Sequence, residues 1–132
     1  TYYLQKAGNF KKAQEVYDRM IAKYPTEFTF YYPASNMALE MKNFTQARSY
    51  IEKAVEFAYG DNKIRSQERA LKVAMSEIKE TKDNSTKTRL KTAIEQSEKF
   101  SSDFKKPEGL QVRSANYIKK LNKTIEEAKT LL

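Results

Sequence analysis

Four basic residues recur on one strip of a helix predicted in the second half of the chain. The strip consists of Arg65, Arg69, Lys72 and Lys79. It lies away from the apolar residues of the same helix, so its charges could attract an acidic peptide or phosphate groups, with contacts that weaken in salt. An ordinary solvated helix face, partly neutralised by Glu68 and Glu80, explains the same pattern. The sequence leaves both interpretations open.

Catalytic chemistry has little support in the composition. The chain has no histidine and no cysteine, which removes the commonest general base, the commonest metal ligand and all thiol chemistry. Carboxylates remain, but they are scattered over faces expected to contact solvent. We therefore predict a protein that is not an enzyme and that uses neither a metal nor another cofactor.

The net charge of +8 is unevenly distributed. Residues 1–62 hold 8 Lys/Arg and 7 Asp/Glu, whereas residues 63–132 hold 17 and 10. Such asymmetry indicates an acidic partner, a nucleic acid or an anionic membrane surface, or only a lysine-rich composition. Nucleic acid is disfavoured because the aromatic residues cluster in residues 2–59, apart from the charge. No stretch approaches the roughly 18–20 apolar residues that span a bilayer.

Apolar residues at intervals of three and four predict six amphipathic helices, which follow a tight turn at Gly8, Asn9 and Phe10. The expected ranges are 10–24, 28–41, 44–58, 63–80, 86–103 and a last helix from about 115. Pro33 is expected to kink the second of these helices, unless the regular part begins near Tyr32 and places the proline in the first turn, where it is tolerated. Asp61 or Asn62 is expected to cap the fourth helix. That helix should bury Ile64, Leu71, Ala74, Met75 and Ile78. A loop is expected at 106–109, and the apolar faces of the two helices on either side of it should consist of Leu90, Ala93, Ser97, Phe100 and Phe104, and of Ala115, Ile118, Leu121, Ile125, Ala128 and Leu132.

The first half repeats with a period of 34 residues. Phe10 and Ala13 recur as Phe44 and Ala47, and Asn9 recurs as Asn43. A fixed period of this length is typical of helix–turn–helix repeat arrays, in which neighbouring units bury each other's apolar faces. Ala13 and Ala47 are expected where a partner backbone crosses closely.

Residues 4–59 resemble the tetratricopeptide repeat (TPR) family. The first repeat matches through Gly8, Phe10, Ala13, Tyr17 and Pro25, and the second through Phe44, Ala47 and Ala54. Departures in the second repeat are Lys42 for glycine, Ile51 for an aromatic residue and Tyr59 for proline. The resemblance implies an all-α, TPR-like right-handed solenoid of helical hairpins. Residues 1–59 would form two repeats, the first truncated, and residues 60–132 a diverged third pair with a C-terminal capping helix, in one continuous domain.

The resemblance also implies a concave groove that binds a protein or peptide. Its inward positions would be Tyr2, Gln5, Lys6, Tyr32, Asn36, Glu40, Lys63 and Gln67, together with Leu39 and Ser66. Asn36 falls where TPR adaptors place an asparagine that binds a peptide backbone; bridging of neighbouring helices is the structural alternative. The family's clamp for a C-terminal carboxylate is not supported, because Tyr32 and Pro33 replace part of it.

Residues 58–62, 109–113 and 117–121 are also similar to the helical C-terminal regions of certain bacterial thioredoxin-like proteins. Together with a start at Thr1 that looks like the end of a helix, this predicts a fragment of a longer protein, in a bacterial envelope or in the cytoplasm. The rival hypotheses to a binding scaffold are therefore an accessory tail of a larger protein and an anionic-surface binder that uses the basic half. The sequence does not identify the partner or the oligomeric state.

Overall fold

A computed structural model describes residues 10–103 and 112–132 of the chain, and within these ranges it contains helices and no strands. The helices are α1 (Phe10–Lys23), α2 (Phe28–Glu40), α3 (Phe44–Phe57), α4 (Asp61–Glu80), α5 (Asn84–Asp103) and α6 (Val112–Lys129). The all-α prediction is confirmed, and most predicted helix ends lie within two or three residues of the observed ones. Phe104 and the predicted loop at 106–109 lie outside the described residues.

The chain divides into two compact units, and the boundary falls between Ala58 and Tyr59. The first unit contains α1–α3, and the second contains α4–α6. The sequence placed the change from recognisable to diverged repeats one residue later, between Tyr59 and Gly60. That both parts belong to one continuous domain stays a prediction.

The first unit has a thin core made largely of small side chains. Its helices α2 and α3 pack as an antiparallel pair, and α1 packs against α2. The fully or almost fully buried apolar residues are Ala13, Tyr17, Tyr31, Ala34, Met37, Ala38, Ala47, Tyr50, Ile51, Ala54 and Ala58. Ala13 and Ala47, the two repeated alanines, are both 0% exposed. A larger side chain at either position would overpack the core.

The turn between α2 and α3 closes with a left-handed residue. The Asn43 amide donates to the Ala38 carbonyl (2.9 Å) and the Lys42 amide to the Leu39 carbonyl (3.0 Å), the two bonds of a Schellman motif. Lys42 has φ of +58°, a conformation that glycine adopts without steric cost. The Asn43 side chain then caps α3 by accepting from the Gln46 amide at 3.2 Å. Lys42 thus occupies a backbone position suited to glycine.

Pro33 lies inside α2 rather than in its first turn, so the first-turn position expected for the proline was wrong, although the predicted start of the helix at Phe28 is confirmed. The helix begins at Phe28, where Glu27 caps it by accepting from the Thr29 amide at 3.4 Å. Pro33 has no amide hydrogen, which leaves the Thr29 carbonyl without its usual donor four residues later. The cap, together with the burial of Tyr31 and Ala34, stabilises the turn that precedes the proline.

The second unit is a cluster of three helices in which each helix contacts both others. Gln67 pairs with Ser97, and Glu77 with Arg89, so α4 and α5 run antiparallel. Helices α4 and α6 run parallel, because residues further along α4 contact residues further along α6. The contacting pairs are Asp61 with Ser114, Arg65 with Tyr117, and Glu68 with Thr124. The last helix therefore packs against two helices at once.

Ten side chains form the core of the second unit. They are Ile64, Leu71, Ala74, Met75, Ile78, Leu90, Ile94, Leu121, Ile125 and Ala128. All five residues predicted for α4 are among them, as are several predicted for α5 and α6. Leu132, expected on the buried side of the last helix, is instead 43% exposed, because α6 ends at Lys129.

The N-termini of α4 and α5 are built differently. Gly60 precedes α4 with φ of +59° and makes no side-chain cap, so the prediction of an Asp61 or Asn62 cap was wrong. Asp61 instead lies in the first turn, where its carboxylate accepts from the Ser114 hydroxyl. At α5, Asp83 and Thr86 cap reciprocally, each side-chain oxygen accepting from the other's backbone amide at 2.9 Å.

We expect Leu71→Ala to destabilise the second unit by about 2–5 kcal/mol, because Leu71 is 0% exposed and its loss leaves a cavity. Leu132→Ala is the matched control: the same atoms are removed from a side chain that is 43% exposed. Urea denaturation followed by circular dichroism measures both. Equal losses for the two variants would contradict the assigned core.

We expect Lys42→Gly to raise the free energy of unfolding by up to about 1 kcal/mol, because glycine relieves the left-handed strain. Lys87→Gly, at an exposed position inside α5, is the control and should instead cost about 1 kcal/mol. Thermal and urea denaturation of both variants gives the sign of each change. Destabilisation by Lys42→Gly would show that the turn does not need glycine geometry.

Candidate functional site

One line of α2 faces away from the core of the first unit. Tyr32, Asn36 and Glu40 follow each other at intervals of one turn, on the side of the helix opposite to Ala34 and Ala38. Tyr32 and Asn36 are partly buried, and Glu40 is exposed. The structure therefore places these three predicted groove residues on a single helix line, with the asparagine at its centre.

Asn36 carries an unsatisfied acceptor at the centre of this line. Its Oδ1 atom is buried and has no hydrogen-bond donor among the described residues. A buried acceptor without a partner costs about 1–3 kcal/mol. The χ2 torsion of asparagine is broad, so rotation of this partly buried side chain can turn the oxygen towards an approaching N–H group.

Hydroxyl and ring contacts hold α2 in place. The Tyr31 hydroxyl donates to the Pro25 carbonyl at 2.6 Å, which ties the helix to the turn before it. The Tyr31 ring stacks on Phe57 of α3 with centroids 6.0 Å apart. Ser35, fully buried, donates to the Tyr32 carbonyl at 2.7 Å. These contacts fix the backbone from which Tyr32 and Asn36 project.

A second tyrosine joins α1 to α3. The Tyr50 hydroxyl donates to Asp18 Oδ1 at 2.5 Å and accepts from Gln46 Nε2 at 3.3 Å. Burial, followed by the bond to the Asp18 carboxylate, raises the pKa of Tyr50 to about 12. The hydroxyl therefore stays protonated at neutral pH and acts as a structural donor that links α3 directly to α1.

The remaining groove residues predicted from the resemblance have different surroundings. Tyr2, Gln5 and Lys6 lie outside the described residues. In the second unit, Lys63 is partly buried, whereas Gln67 is 7% exposed and donates through Nε2 to Ser97 Oγ at 3.1 Å. Gln67 thus packs within its own unit, because the 3.6-residue periodicity brings it beside the apolar face of α4.

Ser66 lies next to Gln67 and is also buried. It is 1% exposed, and its hydroxyl oxygen has no hydrogen-bond partner within the described part of the chain. The sequence predicted that Ser66 offers a polar group to a ligand. In the structure its side chain is inaccessible to solvent, so it presents no surface at which a ligand could bind.

The basic strip of α4 lies at the edge of α6. Arg65 is exposed, and its guanidinium lies over the Tyr117 ring at 5.7 Å from the centroid. Lys72 lies 3.8 Å from the Glu68 carboxylate on the same helix. Arg69 is partly buried and Lys79 is exposed.

Sequence reasoning missed the α6 residues that complete this edge. Glu68 is held there by the Thr124 hydroxyl, which donates to its Oε2 at 3.0 Å, and Lys120 Nζ lies 4.0 Å from its Oε1. The signal that could have found them is Thr124, a polar residue on the buried, apolar face of α6. The parallel course of α4 and α6, which brings these residues together, has no local signature in the sequence.

A shallow cleft of about 280 Å³ lies between α5 and α6. Its lining residues are Glu98, Ser101, Ser102, Asn122, Ile125 and Glu126. The hydrogen bonds of Lys129 to Glu98 and Glu126 raise the pKa of its ammonium group. Lys129 thus pairs with both carboxylates, and Ser101 donates to Asn122 at 2.6 Å, so these four polar side chains of the cleft have partners beside it.

Residues 10–103 and 112–132 contain no group of three or more acidic side chains arranged to hold a metal ion. None of the helices described in those ranges combines the length and apolar character needed to cross a bilayer. No family model matches the chain, and neither a curated protein nor a solved structure shows significant similarity to it. The geometry described above leaves two candidate binding surfaces, namely the outward line of α2 and the basic edge of α4 and α6.

We expect Tyr50→Phe to cost about 1 kcal/mol of unfolding free energy at neutral pH, because the bond to Asp18 is lost. A raised tyrosine pKa stabilises the fold while the hydroxyl is protonated, and this contribution is lost as the pH rises from 10.0 to about 12. The difference between wild type and variant should therefore shrink over that range in urea denaturation.

The control for this test is Tyr24→Phe, which removes a hydroxyl from a side chain that is 46% exposed. Its unfolding free energy should equal that of the wild type at every pH. A wild-type advantage over Tyr50→Phe that is constant from neutral to strongly alkaline pH would contradict the assignment of the bond.

Proposed function

We propose that this chain is a non-catalytic scaffold of the TPR type, a right-handed solenoid that binds a peptide or partner helix through its concave groove. The observation that carries the proposal is the buried Asn36 Oδ1 at the centre of the outward line of α2, which has no donor within residues 10–103 and 112–132. A backbone N–H of a bound peptide supplies the missing donor. Tyr32 and Glu40, one turn to either side, would flank that contact with an apolar ring and a negative charge.

Helix bounds support the repeat architecture. Helix α1 begins at Phe10 and ends at Lys23, and α3 begins at Phe44 and ends at Phe57. Both the starts and the ends are thus offset by the period found in the sequence. Ala13 and Ala47 hold the same register and are equally buried, which fits two copies of one structural unit.

The backbone at Lys42 gives further support. The family pattern has glycine at this position, and the residue adopts the positive φ that glycine favours. A substitution that preserves an uncommon backbone conformation fits divergence from a glycine-containing repeat better than a chance match. The repeat would then supply a rigid receptor, so that a ligand orders little of the protein on binding.

We expect a Tyr32→Ala/Asn36→Ala double variant to lose a partner that the wild type captures from native lysate at about 0.1 M salt. The partner should remain bound to the wild type at about 0.5 M salt, because an apolar and hydrogen-bonded contact is weakly screened. Tyr59→Ala/Asn116→Ala is the matched control: it removes the same residue types from exposed positions and should retain the partner.

Circular dichroism must show that all three proteins are folded before the captured proteins are compared by mass spectrometry. A partner that both double variants retain, or that leaves the wild type at the higher salt concentration, would contradict the groove proposal. Capture of nothing by the wild type would favour an accessory role within a larger protein.

A further inference from the structure

The edge formed by α4 and α6 has the geometry of a binding surface for an anion. Lys72 and Lys120, from two parallel helices, lie 3.8 and 4.0 Å from one oxygen of Glu68. Both distances exceed the 2.7–3.2 Å of a hydrogen bond. The two ammonium groups are therefore attracted by Glu68 without donating hydrogen bonds to it, and their N–H groups can donate to another acceptor.

Glu68 is fixed more firmly than the lysines around it. Its side chain is 13% exposed, and its other oxygen accepts from the Thr124 hydroxyl at 3.0 Å. The lysines are more accessible, with side chains 39% exposed for Lys72 and 62% for Lys120. A partly buried, hydrogen-bonded carboxylate thus lies beside two more exposed ammonium groups.

Further cations lie along this edge. Arg65, above the Tyr117 ring, and Arg69 extend the row on α4 beyond Lys72, and Lys79 extends it in the other direction. Helix geometry makes the row from Arg65 to Lys79 roughly 21 Å long. An extended peptide of about six residues spans that length.

We propose that this basic edge, Arg65, Arg69 and Lys72 with Lys120 around Glu68, binds an acidic segment of a partner protein. The proposal concerns the second unit alone and does not depend on the groove of the first. Carboxylates spaced along an extended acidic segment would accept from the lysine ammonium groups and from the arginines, and the segment would compete with Glu68 for the two lysines.

Nucleic acid and membrane fit this edge less well. Tyr117, the aromatic residue beside the cations, has the face of its ring covered by Arg65, so it offers no platform for stacking a base. The exposed large apolar residues of the described second unit, Tyr59 and Leu132, lie outside α4 and α6. The edge therefore lacks apolar side chains that could insert into a bilayer interface.

The test uses the full chain and a fluorescent oligo-glutamate peptide of about ten residues, with fluorescence anisotropy as the readout. We expect saturable binding at about 0.1 M salt that weakens strongly at about 0.5 M. Oligo-glutamine of equal length should not bind. Absence of saturable binding by the oligo-glutamate peptide would overturn the proposal.

Matched variants locate the site. Lys72→Gln/Lys120→Gln should weaken binding of the peptide by roughly fivefold or more, whereas Lys91→Gln/Lys99→Gln should change it by less than about twofold. Both pairs remove two charges, and Lys91 and Lys99 are exposed on α5. Equal weakening by the two pairs would show that only net charge matters and would overturn the assignment of the site.

A variant that should strengthen binding distinguishes an effect on the binding surface from damage to the fold. Glu68→Gln keeps an oxygen that accepts from Thr124 and removes the negative charge, so it should tighten peptide binding by about two- to threefold. Weaker binding by this variant would contradict the proposed role of Glu68. Tighter binding of duplex DNA or of anionic vesicles than of the peptide, at equal salt, would overturn the choice of an acidic protein segment.

The groove variant distinguishes this proposal from the proposed function. Tyr32→Ala/Asn36→Ala changes only α2 and should bind the oligo-glutamate peptide with the wild-type affinity. A loss of peptide binding in this variant would place the acidic segment in the first unit and overturn the assignment to α4 and α6.

Discussion

Close approach of helix backbones across small side chains is the constraint on which the first unit depends. Ala13, Ala34, Ala38, Ala47 and Ala54 are all 0–1% exposed, so the layer between the helices is thin and leaves little room for adjustment. Long tyrosines at its margin reach past this layer and place their hydroxyls on polar partners. The outward line of α2 is positioned as a consequence, since the helix cannot shift against its neighbours without overpacking an alanine.

The second unit is held together by larger apolar residues and by buried polar contacts. Leucine and isoleucine fill its core, and the margins are fixed by specific pairs, such as Arg89 Nε with Glu77 Oε1 at 2.5 Å. Glu77 is 8% exposed, so its carboxylate depends on this partner: a buried charge without a counter-charge is strongly destabilising. The pair also fixes the register of α4 against α5, which apolar contacts alone specify less sharply.

Helices and core residues were largely predictable because they depend on local periodicity. The spacing of Ile64, Leu71 and Met75 identifies the buried face of α4 without any knowledge of its neighbours. Pro33 and Gly60 were misjudged because their effects depend on context: a cap at Glu27 and buried neighbours sustain the turn before the proline, and a left-handed glycine starts α4 without a side-chain cap.

The residues of the candidate surfaces were predictable only where a single helix determines their position. The line through Tyr32 and Asn36 follows from the helical repeat, but the burial of the Asn36 oxygen requires the packed structure. Gln67 has the right residue type for a ligand contact, yet its amide is buried and donates to Ser97, thirty residues later in the chain. The meeting of Lys120 with Glu68 likewise depends on the direction of α6 relative to α4, which no local pattern encodes.

Both units are assembled mainly from helices that follow one another along the chain through short turns, and this feature has a kinetic consequence. Contacts between neighbours in sequence close small loops, and small loops lose little chain entropy when they form. Proteins rich in such contacts fold in microseconds to milliseconds. In the second unit the contacts between α4 and α6 are the exception, since they join helices that are separated in the chain by α5. Docking of α6 is therefore expected to be the slow event in the second unit, and the alignment of Lys120 with Glu68 among the last features to appear.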